Sequence, residues 1–173
     1  MKTIMQPDLE KSKIDALSQI NKLFSCTNLS CCDDLKRSYN YYAWLTKKTQ
    51  LIIDEPNYMC NDYDKLNRGS VFWIEFGFNV GNEFGGRHPA IILRKTGNSI
   101  FVIPLSSQEP SKIKNYHVKV NRVYGFKNII RWANVLKLQN VSIQRIDFKS
   151  SIGNIKGHVL DDINEALKKS HIF

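Results

Sequence analysis

The sequence predicts an α+β protein: a two-helix extension, then a small β-barrel closed by a C-terminal helix. Three observations carry this. Residues 8–24 and 33–53 repeat apolar side chains at spacings of three and four, the period of a helix face. From Arg68 onward the apolar residues come instead in short runs rich in Val, Ile, Phe and Trp, bounded by turn-forming residues, which is the pattern of strands. Near the end of the chain the helical spacing returns at Leu160, Ile163 and Leu167.

In the first helix, Leu9, Ile14, Leu17, Ile20 and Phe24 share a face, and Pro7 stands at the first turn, where a missing N–H does no harm. The second opens on Asp33-Asp34, acid at the positive end of the helix dipole, and repeats Leu35, Tyr39, Tyr42, Leu45, Thr49 and Ile52. The short connection between them predicts an antiparallel helix pair. Tyr39, Tyr41 and Tyr42 read as packing residues rather than a base-stacking cluster, because their surroundings are neutral. A pair this short has little core, so its apolar stripes are expected to dock elsewhere. Asp54 to Asn57 ends the second helix, and 56–67 reads as a polar linker. The expected domains are therefore 1–67 and 68–173.

Strands are expected at 70–76, 89–95, 100–106, 116–120 and 129–138, with Thr96-Gly97-Asn98-Ser99 as a hairpin turn. In the first, Val71, Trp73 and Glu75 should face one way and Phe72, Ile74 and Phe76 the other. Residues 139–146 read as a connection with one helical turn, and 157–170 as the closing helix. Between strands one and two lies a loop containing Gly77, Gly81, Gly85 and Gly86, which carries Asn79, Asn82, Glu83, Arg87 and His88. Glycines allow positive φ and close approach of backbone to a ligand.

Composition narrows the function classes. The 42% hydrophobic content suits a globular chain, no apolar run reaches the ~18 residues of a membrane span, and the expected location is cytoplasmic. The four cysteines all precede residue 61 without any histidine in the first 67 residues, which favours reduced thiols over zinc. After residue 67 there is no HExxH or DxD, and no phosphate-binding GxxxxGK[ST] loop occurs, so neither metal nor cofactor is expected. The net charge is +9; residues 1–67 hold nine Lys and Arg against nine Asp and Glu, and residues 68–173 sixteen against seven. A basic excess confined to one domain suggests a polyanionic partner.

The pieces Arg68-Gly69 with Val71 and Trp73, Val80-Gly81-Asn82-Glu83, Gly85-Gly86-Arg87-His88-Pro89-Ala90 and Pro104-Leu105-Ser106-Ser107-Gln108, in this order, resemble the MazF/PemK family of toxin ribonucleases. The resemblance spans about 68–173 and implies an SH3-like barrel of the MazF/PemK/CcdB type. It implies a metal-independent endoribonuclease acting on single-stranded RNA, a homodimer, and a cognate antitoxin protein as partner. The family's usual loop is Gly-Gly-X-Arg-Pro, so its catalytic arginine position falls on His88, with Arg87 one place earlier, and its threonine or serine on Ser106. On this resemblance His88 takes the acid/base role with Ser106 beside it and Arg87 stabilising charge, and Glu83 is a second candidate base. Asn79, Asn82, Gly85, Gly86, Arg68, Ser107 and Asn134 are the expected RNA contacts. His117, His158 and His171 have no such context and read as surface groups.

Overall fold

The computed structural model describes residues 4–170. The chain divides into two compact units, residues 1–50 and 51–173. The first holds α1 (Gln6–Cys26) and most of α2 (Cys32–Asp54), each slightly longer than its apolar pattern. Asp8 accepts the Met5 N–H at 3.0 Å, capping α1. The helices are tied by a Thr27–Ser38 hydroxyl pair at 2.7 Å and by the Tyr42 hydroxyl, which donates to the Ile20 carbonyl at 3.1 Å. No residue of either helix is buried. Tyr39 is 72% exposed, contrary to a packing role, while Tyr41 and Tyr42 meet edge to face.

The second unit is an antiparallel, curled sheet of the SH3-like barrel type, followed by a helix. Its strands are β1 (Ser70–Gly77), β2 (Gly86–Thr96), β3 (Ser99–Ser106), β4 (His117–Val120), β5 (Arg131–Asn134), β6 (Gln139–Ser142), β7 (Ile146–Asp147) and β8 (Gly153–Asn154). The main order is β4-β5-β3-β2-β1-β7, with β6 also on β3 and β8 also on β1. Sharing an edge between two strands requires the sheet to bend. The register breaks between Glu75 and Gly77 and between Ile92 and Arg94 are where the ladder is interrupted.

Both faces of the central strands are covered, so alternate residues feed two cores. Val71, Ile91, Ile103 and Leu105 pack with Val118, Val120 and Ala133 beneath Ile163, Ala166 and Leu167 of α3 (Val159–Lys169). Phe72, Ile74, Phe76, Ala90, Ile92, Ile100 and Val102 form the other, with Val141, Ile143 and Ile146. The expected alternation along β1 therefore holds. Acids Asp161 and Asp162 open α3 and Lys168 and Lys169 close it, each sign suited to its end of the dipole.

Four local expectations need correction. The segment 56–67 is not a free linker: Leu66 is 1% exposed within the second core, and Tyr58, Cys60 and Tyr63 pack against it. Its single apolar anchor among polar neighbours gives no periodic signal. Strand five stops at Asn134, because the Asn134 side chain accepts the Leu136 N–H and starts a 3-10 turn over Val135–Lys137. The stretch 139–146 has the expected helical turn, a 3-10 turn over Ile143–Arg145, but opens with a strand, β6. Finally, β2 begins at Gly86, three residues earlier than the pattern suggested, so Arg87 and His88 belong to a strand and not to a loop.

Replacing a fully buried Leu with Ala costs about 2–5 kcal/mol. Leu66→Ala is expected to destabilise the second unit by that amount in urea melts, an effect a free linker would not produce.

Candidate nucleic-acid site

A glycine turn decides where the site residues go. Gly77 and Gly86 face each other across the register break with φ of +87° and +80°, and a Cβ on Gly85 would stand 2.7 Å from the Gly77 carbonyl oxygen. The turn is completed by Asn79, whose amide donates to the Phe84 carbonyl at 2.6 Å, and by Glu83, which accepts the Val80 N–H at 3.2 Å. The Lys137 ammonium donates to the Asn82 carbonyl at 2.5 Å and the Gln139 amide to Phe84 at 3.3 Å. The loop is thus fastened to the 3-10 turn and β6. Asn79, Glu83, Gly85 and Gly86 act here as builders of the loop.

Because β2 is a strand through this point, its successive side chains diverge. Glu75 pairs with Arg87 and Ile74 with His88. Arg87 lies on the Trp73 side. Its guanidinium stands 4.6 Å from the Trp73 ring centre, donates to Asp147 at 2.7 Å and to the Ser150 hydroxyl at 2.9 Å, and lies 3.5 Å from Glu75. Trp73 in turn stacks on Phe126. Arg87 and the Ser150 hydroxyl hold the Asp147 carboxyl down at about 2.

His88 lies on the opposite side, half-buried, with its ring 4.7 Å from that of Phe84. The β2–β3 ladder ends at Ala90–Pro104; His88 and Ser106 each stand two residues beyond it, on the same side of their strands as Ala90 and Pro104. The ring also hydrogen-bonds the Leu105 backbone, and burial pushes its pKa below the usual histidine value. Ser106 pairs with Trp132 on β5, which pairs with Lys119 on β4; two residues along, Asn134 pairs with His117. This face holds a groove of about 360 Å³ whose lining includes Phe84, Ser106, His117, Trp132, Asn134 and Lys137.

The predicted residues therefore separate. His88, Ser106 and Asn134 share one face, with Asn82 fastened to it through Lys137 and exposed Ser107 following Ser106. Arg87 does not join them. Arg68 does not either: it donates to the Leu93 carbonyl at 3.1 Å and to Asn164 of α3 at 2.6 Å. Sequence reasoning missed Phe84, His117, Trp132 and Lys137. For His117 the signal was present, since the alternation that made 116–120 a strand also placed His117 and Lys119 on the side away from Val118. His158 stands exposed 3.8 Å from Asp162, and His171 lies outside the described residues. Among the described residues no three His, Cys, Asp or Glu side chains form a metal-binding set, and no helix is long and apolar enough to cross a membrane.

A curled antiparallel sheet with a glycine-rich β1–β2 turn and a closing helix is the architecture of the small toxin barrels. A family model described as "PemK-like, MazF-like toxin of type II toxin-antitoxin system" matches residues 67–171, and the chain belongs to this family. Among solved structures, MazF from Deinococcus radiodurans aligns with a TM-score of 0.50 at 18% identity, covering 62% of this chain and 96% of that one. The Mycobacterium tuberculosis toxin MazF-mt6 gives 0.47 at 13% identity, covering 60% and 96%. An endoribonuclease from a mycobacterial species, solved in complex with its cognate antitoxin, gives 0.44 at 14%, covering 60% and 91%. No curated protein matches the sequence.

The Arg87–Asp147 contact makes a pH-dependent prediction. Asp147 has a folded pKa below its ordinary value of 3.8, so its stabilisation is present above pH 3.8 and is lost as pH falls through about 2. Arg87→Met should lower stability at pH 5–7, by no more than about 1 kcal/mol for a partly exposed pair. That difference should shrink below pH 4, and carbon NMR should find the Asp147 pKa moved up towards 3.8.

Proposed function

We propose that this protein is the endoribonuclease toxin of a type II toxin–antitoxin pair and that it cuts single-stranded RNA without a metal ion. The reading rests on the family match over residues 67–171 and on His88 and Ser106, to which the resemblance assigns the catalytic pair, both standing just past the Ala90–Pro104 end of the β2–β3 ladder, with Ser106 in the groove's lining. In this reading the ribose 2′-hydroxyl loses its proton to His88, and the 2′-oxygen attacks the adjacent phosphorus. The bond from phosphorus to the 5′-oxygen breaks, and that oxygen takes up a proton. The products are a 2′,3′-cyclic phosphate and a 5′-hydroxyl, with no net change in protons.

Each residue has a physical reason for its part. Burial keeps His88 neutral near pH 7, and its bond to the Leu105 backbone fixes the ring, which suits a base. Ser106 donates a hydrogen bond to a phosphate oxygen, and Lys119 and Lys137 supply the positive charge of this face. Asn82, Ser107 and Asn134 contact the strand beside the cleaved bond. The protein acts in the cytoplasm as a homodimer and is neutralised by its antitoxin protein.

A second reading is a binding module on the same barrel that grips RNA without cutting it. It is favoured by one observation: Arg87 is engaged with Glu75 and Asp147 on the other side, and among the described residues no arginine lines the groove.

Incubation with single-stranded RNA in a chelator separates the two. The enzyme reading expects fragments ending in 2′,3′-cyclic phosphate, and His88→Ala should lower kcat/KM by about 10²–10⁴-fold with an unchanged melting temperature. Since burial lowers the His88 pKa from 6.5, kcat/KM should rise with pH with the midpoint of the rise below 6.5. Retarded but intact RNA would support the binding module.

A further inference from the structure

The groove on the β3–β5–β4 face has a fixed hydrogen-bonding polarity. The Asn134 side-chain oxygen accepts the Leu136 N–H at 3.0 Å as the cap of the 3-10 turn. Its amide NH₂ is the part left over, and it can only donate. His117 is set in the same way. Its Nδ1 lies 3.1 Å from the Lys114 backbone nitrogen, and a backbone N–H can only donate, so Nδ1 must accept. In the neutral ring the proton then resides on Nε2, making that atom a donor. Burial lowers the His117 pKa and favours this neutral form. Asn134 and His117 are direct cross-strand partners and both line the groove, so the two donors come from neighbouring positions. Glu109 stands among the groove-lining residues on an exposed loop and, when ionised, can only accept.

From this polarity we propose that the groove is a base-reading pocket that takes a nucleobase bearing a carbonyl acceptor beside a ring N–H, guanine or uracil, in preference to adenine or cytosine. The inference rests on the single-stranded RNA reading of the same site. Guanine offers O6 with N7, and uracil offers O4, to a pair of donors. Adenine and cytosine would turn an exocyclic amino group towards them, leaving donor against donor in a partly desolvated groove. The ring N–H of guanine or uracil has Glu109 as its acceptor, whereas neutral adenine and cytosine have no such hydrogen. Half-buried Phe84 offers an apolar surface against which a base can lie, and buried Trp132 adds apolar lining. At about 360 Å³ the space has the size of a small-molecule site. Ser106 lines the same groove, so the base read is one adjoining the phosphate handled by His88 and Ser106.

The test uses the full chain and four non-cleavable 2′-O-methyl pentanucleotides, adenine throughout except for a central A, C, G or U, with binding followed by fluorescence anisotropy. The G and U forms should bind about tenfold or more tightly than the A and C forms. Asn134→Asp retains an oxygen to cap the 3-10 turn but replaces the donor by an acceptor. The ratio of G and U to A and C affinity should fall at least tenfold or reverse, whatever the added charge does to overall affinity. His117→Phe, which removes the second donor without touching the cap, should narrow the same ratio. Equal binding of all four oligomers, no binding of any, or a ratio unmoved by either variant would overturn the pocket. Cleavage of long RNA by the wild-type chain with no base preference at the cut would sink the pocket alone. Base-selective binding without any cleavage would sink the enzyme reading alone.

Discussion

The pairing of β2 between β1 and β3 is the constraint on which the rest of the second unit depends. It fixes the two cores, because Ile91 and Ala90 point to opposite faces and each face is covered. It also carries that alternation out of the core into Arg87 and His88, where it separates two chemically active neighbours. The ladder can extend that far because Gly77 and Gly86 take positive φ and Gly85 has no Cβ to meet the Gly77 carbonyl. A side chain at Gly85 would open the turn, and the alternation at Arg87 and His88 would lose its support.

The two sides of this strand end have different chemistry. On one, a guanidinium stands between two carboxylates and over an indole face, with Nη2 donating to Asp147 and to the Ser150 hydroxyl. Such an arginine ties β1, β2 and β7 together. On the other, the polar groups of His88, Ser106, His117 and Asn134 are only partly used by the protein, and lysines stand nearby. Residual hydrogen-bonding capacity on a concave basic surface is what distinguishes a ligand face from a structural one.

Much of this was legible in the sequence, and the reasons it was not all legible are specific. Alternation in 70–76 gave a strand and its two faces, and the hairpin turn at 96–99 gave the strand at 100–106. The order of motifs pointed to the family, which the family match over residues 67–171 bears out. The glycine-rich stretch misled at Arg87, since glycines mark loops in general, while here two of them flank a turn tight enough for β2 to start at Gly86. Arg68 was grouped with the site through the Arg68-Gly69 piece of the resemblance, yet its partners are Leu93 and Asn164. Phe84 and Lys137 are 53 residues apart in a chain whose local pattern says nothing about their meeting; only the curl of the sheet brings both to one groove. For the helix pair the pattern gave two helices correctly but overstated the packing of Tyr39.

The central claim is that the ligand face is the one shared by His88 and Ser106 and not the one carrying Arg87. Side-chain NMR during titration with a non-cleavable single-stranded RNA tests it most directly. The account predicts shifts at the His88 and His117 rings and at the Asn134 amide, with the Arg87 guanidinium and the Trp73 indole unmoved. Large shifts at Arg87 and Trp73 with a silent His88 ring would contradict it.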